Sequence, residues 1–138
     1  MVATDSLSSL KSYCESEQFK GWDPYDGLNS KVFQALPFLK NSALCRLAVI
    51  QGFKRSPINF RKIAMVPKEY NAKGIGLFLK GYCNLYKAVC GNQQLQDAFG
   101  TQAQLMDKIN ELAELLITLQ SKGYSGACWG YNFDWQAR

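Results

Sequence analysis

The chain has 138 residues, is 47% hydrophobic and 13% aromatic, carries a net charge of +5 and has no histidine. That size and apolar content suit a packed domain and exclude a disordered or low-complexity chain. Without imidazole there are no Ser-His or Cys-His nucleophile pairs, and the commonest transition-metal ligand is missing, so no metal and no cofactor are expected.

No apolar run reaches eighteen residues, and the segment from Met1 to Lys11 lacks the basic start and apolar middle of a signal peptide. A cytoplasmic protein with no membrane contact is the expectation. Five cysteines, Cys14, Cys45, Cys83, Cys90 and Cys128, form no CxxC pair and sit among apolar neighbours. They read as small buried hydrophobes, with Cys83 and Cys90 two turns apart on one helix face.

The spacing predicts a first helix from Thr4 to about Phe19, with Leu7, Leu10, Tyr13 or Cys14, and Gln18 or Phe19 as its stripe. Pro24 and two glycines then enforce a turn-rich loop that carries Asp23, Asp26, Trp22 and Tyr25. Asn29-Ser30 caps a short helix to about Leu36, and Pro37 ends it or opens the next turn. Asn41-Ser42 caps another from Ala43 to Lys54, apolar almost all round and so expected to be enclosed. Arg46 is the exception on it and should reach a carboxylate or a ligand.

Ser56-Pro57 reads as the start of two helical turns stopped by Pro67. A long helix is expected from Ile75 to Cys90, where Gly76 and Gly81 suggest close approach of another helix or chain. Gly91-Asn92 ends it, and residues 97 to 100 form a second break. Thr101 to Gln120 is an amphipathic helix with Leu105, Ile109, Leu112, Leu115 or Leu116, and Leu119 on its stripe, closed by Lys122-Gly123. No segment alternates like a strand, so the fold class is all-α, a single helical domain over residues 1–138.

Between Lys31 and Lys87 a series of lysines and arginines faces only Glu69. Such a face can be simply solvated, or it can meet nucleic acid, an anionic lipid surface or a phosphorylated ligand. No RNP-like pair, zinc-finger spacing or run of five basic residues accompanies it, so nucleic acid is not expected.

The last sixteen residues gather Tyr124, Trp129, Tyr131, Phe133 and Trp135 with Asn132, Asp134 and Gln136. Aromatic faces beside amides and a carboxylate suit a sugar, whose C–H faces stack on rings while its hydroxyls need donors and acceptors. The alternative is that these rings cover a helical bundle and Asp134 caps a turn. The loop from Gly21 to Asp26 shares the order of glycine, aromatic and acid with the segment from Gly130 to Trp135, so the two loops can line one cleft, the alternative being a chance likeness of two short loops.

Four blocks, Trp22 to Ser30, Lys54 to Arg61, Asn71 to Leu79 and Gly123 to Gln136, resemble the N-terminal part of a poorly characterised bacterial family associated with surface-polysaccharide biosynthesis. The resemblance implies antiparallel helical hairpins forming part of an (α/α) toroid, of the six-hairpin glycosidase or terpenoid-cyclase kind. It also implies a longer protein of which this chain is an N-terminal fragment, whose uncovered helix faces either self-associate into a homo-oligomer or are covered by a bundle that closes differently.

Two functions follow. One is a carbohydrate-related protein in polysaccharide biosynthesis or modification, whose catalytic candidates are Asp134, Asp23 and Asp26. Its saccharide or nucleotide-sugar ligand would be held by Trp22, Tyr25, Trp129, Tyr131, Asn132, Trp135, Gln136 and Arg46. The other is a non-enzymatic helical scaffold or binding module whose basic middle region docks an anionic partner. An isoprenoid-handling toroid ranks behind both, because its acidic signatures are absent.

Overall fold

The computed structural model describes residues 2–133, Val2 by its backbone alone. Seven α-helices are present among them: α1 (Val2–Ser16), α2 (Lys31–Gln34), α3 (Pro37–Lys40), α4 (Ala43–Arg55), α5 (Ala72–Ala88), α6 (Gln93–Phe99) and α7 (Gln102–Thr118), with a 3-10 turn at Asp26–Asn29. The chain is all-helical, and none of these helices is long and apolar enough to cross a membrane. It divides into two compact units. The first comprises residues 1–20 and 70–130, and the second, an inserted unit, comprises residues 21–69 and 131–138.

In the first unit, α5 packs on α7 and α1 touches α6. The heptad spacing of Ile75, Tyr82 and Val89, and of Leu105 and Leu112, puts each set on one helix face, and all five are buried together with Phe19 and Phe99. Phe19 and Gln18 have positive φ of 59° and 53°. That conformation is unfavourable for a residue with a Cβ, and burial of the Phe19 ring against Phe78, 5.2 Å between centroids, offsets it.

Side-chain caps set the helix starts. Asn71 Oδ1 accepts from the amides of Lys73 and Gly74, so α5 begins at Ala72, a turn earlier than its apolar stripe indicates. Asn92 accepts from the Leu95 amide and opens α6, where the sequence suggested only an end to the preceding helix. Thr101 and Gln104 form a capping box at α7. α7 itself stops at Thr118, short of Lys122-Gly123.

Several expectations are corrected here. The α1 stripe is largely outside: Leu7, Leu10 and Tyr13 are exposed. At Gly76 and Gly81 an added Cβ would meet nothing within 4 Å, so no helix of the described chain presses on either. The cysteines are free, four of them half-buried and Cys90 exposed, and Cys90 lies past the end of α5 so it shares no helix face with Cys83.

Within the inserted unit the excursion from Gly21 to Glu69 begins and ends at one point, where these two residues exchange both backbone hydrogen bonds at 3.1 Å. Its core is Leu28, Phe33 and Ile50, with Tyr25, Leu39 and Val49 packed around them. Ser30 caps α2 through the Phe33 amide, Pro37 occupies the first turn of α3, and Ser42 caps α4. Against expectation α4 is not enclosed. Only Ile50 is fully buried and Leu44 is 79% exposed, because within this unit α4 packs mainly on the 3-10 turn and α3.

Residues 56–67 form turns instead of a helix. Ser56 Oγ accepts from the Ile58 amide and donates to the Ile58 carbonyl, Asn59 Oδ1 accepts from the Arg61 amide, and Met65 has φ of 51°. Such local side-chain bonds offer the backbone an alternative to the helical ladder.

Candidate functional site

The loop from Trp22 to Ser30 is built around a buried ion pair. Asp26 is 3% exposed, and its Oδ1 accepts from Arg61 Nε at 2.9 Å. Its Oδ2 accepts from the Asp23 amide at 3.0 Å, and Arg61 Nη2 donates to the Asp23 carbonyl at 2.9 Å. The Asp23 carboxylate accepts from the Tyr25 amide at 3.0 Å. Burial pushes the Asp26 carboxyl above its ordinary value, against the opposing pull of the guanidinium and the Asp23 amide. The Arg61 guanidinium also lies 5.6 Å from the Phe53 ring, and Phe53 approaches Gly27 so closely that an added Cβ there would sit 3.1 Å from it. Both Asp26 oxygens are therefore engaged, Oδ1 in holding the loop to Arg61 and Oδ2 in closing the loop on itself, and the first is a role that sequence reading did not assign to Arg61. The signal was available: a buried carboxylate in a strongly basic segment needs one of those cations.

Beside this pair the two acidic-aromatic loops meet. The Tyr25 and Phe133 rings stack at 6.4 Å and 22°, and Tyr131 stacks on Phe133 at 5.0 Å and 29°. Phe133 is buried while Tyr131 is 64% exposed, so the three-ring ladder has one open face. Lys54 Nζ lies 4.6 Å from the Tyr25 ring centroid and donates to its hydroxyl at 2.7 Å. Asn29 Nδ2 donates to the Asn132 carbonyl at 2.9 Å, and Asn132 Nδ2 donates to Glu69 Oε2 at 3.2 Å. Asn132 Oδ1 is buried and has no hydrogen-bond partner among the described residues. Lys54, Asn29, Glu69 and Phe133 were not among the residues singled out as site candidates from the sequence. The hydrophobic spacing that guided that reading carries no information about which loop meets which.

Tyr25, Tyr131 and Asn132 are thus brought together. Trp22 belongs to the same unit, its indole donating to the Val66 carbonyl at 3.0 Å and its ring 4.9 Å from Lys68 Nζ. Arg46 donates to the Lys40 carbonyl at 2.6 Å, a backbone acceptor. Trp129 is in the first unit, where its indole donates to the Leu116 carbonyl at 2.6 Å. Asp134, Trp135 and Gln136 lie outside the described residues. Among the described residues no three Cys, Asp or Glu side chains are placed to hold a metal ion.

The first unit holds a second feature, an apolar groove of about 410 Å³ between α1 and α5, lined by Leu7, Leu10, Cys14, Leu77, Gly81 and Leu85 among others. Near it Tyr82 donates to Glu15 Oε1 at 2.7 Å, and Lys11 pairs with Glu15 at 3.1 Å. Burial alone would raise the Glu15 carboxyl, but the hydrogen bonds from Tyr82 and Lys11, with the charges of Lys11 and Lys108, hold it below its ordinary value of 4.5. Burial and the adjoining Glu15 charge push the Tyr82 phenol far up, and the same two causes raise the Cys14 thiol.

Comparison with known proteins adds no relative: no protein-family model, no curated protein and no solved structure matches the chain.

Proposed function

We propose that the chain is a binding module for an anionic saccharide, carried on the inserted unit, and that binding, not acid-base catalysis by Asp23 or Asp26, is what this unit does. The observation that carries the reading is the open Tyr131–Phe133–Tyr25 ladder with Lys54 against its inner ring. A pyranose stacks its C–H face on an exposed ring, and a uronate or phosphate on the same sugar seeks the neighbouring cations. Those cations are plentiful: residues 27–68 hold eight lysines and arginines and no acidic residue. An acid-base pair needs a carboxyl free to exchange a proton with substrate, and Asp26 is committed on both oxygens.

The resemblance to a surface-polysaccharide family supports the ligand class. It also supports the finer proposal that the helices belong to a longer (α/α) toroid that forms homo-oligomers in the cytoplasm.

Titration with a polyuronate and with a neutral glucan tests the reading. The polyuronate is expected to bind with an affinity that falls as salt rises, and Tyr131→Ala to weaken it by about tenfold while leaving the helical signal unchanged. Equal binding of both polymers, or affinity indifferent to Tyr131→Ala, counts against it.

A further inference from the structure

Residues 55–65 form a surface that the ring ladder and Lys54 of the saccharide reading do not use. Ile58, Phe60, Ile63 and Met65 are 62%, 45%, 78% and 53% exposed, four large apolar side chains within eight positions. Single exposed apolar residues are ordinary, whereas four on one short segment of fixed backbone suit a surface that meets something. Here the backbone beneath them is fixed. The Ala64 amide donates to the Phe60 carbonyl at 2.9 Å and the Val66 amide to the Arg61 carbonyl at 2.9 Å. Ser30 Oγ donates to the Ala64 carbonyl at 2.6 Å, the Lys31 amide to the Met65 carbonyl at 3.4 Å, and Arg61 is locked to Asp26. The side chains that could turn inward have done so, as the burial of Val66 shows, and the other four remain outside on a platform tied from below.

Charge identifies the occupant. Arg55 and Lys62 are both exposed, the first just before the apolar group and the second within it, and no acid lies within residues 27–68. A second copy of this face would bring the same cations against it, so self-association is disfavoured by like charge. A soluble polyanion would engage the cations and leave the aliphatic side chains wet, and a nucleic acid would seek stacking rings, of which this segment offers Phe60 alone. An anionic bilayer surface satisfies both halves, with phosphates at the level of the cations and an acyl boundary just below.

We propose that residues 55–65 seat the protein peripherally on an anionic lipid surface, with Ile58, Phe60, Ile63 and Met65 entering the acyl boundary and Arg55 and Lys62 pairing with headgroup phosphates. The sequence expectation of no membrane contact rested on the lack of a spanning segment, and a loop lying in the interface needs none.

Co-sedimentation of the full chain with vesicles tests this. Vesicles of phosphatidylcholine mixed with phosphatidylglycerol are expected to take the protein down, and vesicles of phosphatidylcholine alone are not. The double variant Ile58→Asn, Ile63→Asn weakens that binding at least about tenfold, and Lys62→Gln weakens it about fivefold. Both variants change only exposed side chains, and circular dichroism confirms that each remains folded. Failure to sediment with the anionic vesicles overturns the proposal, and so does sedimentation undiminished in the isoleucine variant, which would make the contact one of charge alone. A concentration-dependent dimer that disappears in the same variant, without vesicle binding, assigns the surface to a second copy and also overturns it. The isoleucine variant keeps polyuronate binding, so the lipid and saccharide readings fail separately.

Discussion

The two units solve the problem of holding together by different means. The first carries seven cationic and seven acidic residues and no net charge, and it is built on two seventeen-residue helices whose buried side chains recur every seven positions. The inserted unit carries nine against four, hence the whole net charge of the chain, on helices of four, four and thirteen residues. Its core has three fully buried hydrophobic side chains, and a buried ion pair ties its loops together. The contrast separates what makes a unit stable from what leaves it a surface to bind with. A long apolar seam keeps its side chains inside, while short elements pinned by polar contacts leave rings, aliphatics and cations outside.

Substitution in each core breaks this comparison in its own way. Leu112→Ala in the first unit removes a fully buried side chain of the seam, with an expected loss of about 4 kcal/mol in urea unfolding. Asp26→Ala in the inserted unit leaves Arg61 buried without its partner and is expected to cost about 3 kcal/mol. The double variant Asp26→Ala, Arg61→Met should recover much of that loss, and strict additivity of the two changes would show that the pair does not hold the loops.

Acid sharpens the comparison further. The Glu15 carboxyl in the first unit is held below 4.5, so the stability it contributes is present above that value and is lost as pH falls through the lower folded value. Asp26 is displaced the other way, so protonation favours the folded state of the inserted unit. Between neutral pH and below 4.5, the urea midpoint of the first unit should therefore lose less in Glu15→Gln than in the parent chain. An identical profile in the variant would remove Glu15 as a source of that loss. The smallest effect is at the α7 cap, where Thr101→Ala is expected to cost about 1 kcal/mol.

How far the sequence could be read differs between the units for the same physical reason. In the first, the seam of α5 and the stripe of α7 were legible because Ile75, Tyr82, Leu105 and Leu112 follow the helical period. The caps Asn71 and Asn92 were the available signals for the true start of α5 and for α6, and apolar spacing alone passed over them. In the inserted unit, α4 looked enclosed because its composition is apolar on all sides, yet composition does not say how many neighbours a helix has. Ser56-Pro57 looked like a helix start, but the Ser56 hydroxyl closed a turn on Ile58. Of the candidate site, the likeness of the two aromatic loops anticipated their meeting at Tyr25, Phe133 and Tyr131. What it missed was the cost of burying Asp26, which drew in Arg61 and made a presumed proton donor into a fastening.

The exchange of backbone hydrogen bonds between Gly21 and Glu69 has a consequence for the chain as a polymer. An excursion whose two ends are clasped together asks its host for almost nothing: the gap to be spanned is that of a tight turn, whatever the length in between. Such a segment can lengthen, shorten or be exchanged for another with little strain on the helices that flank it. The pairing therefore works like the neck of a graft, where a recognition surface can be remodelled by evolution or by design while the stock that bears it stays the same.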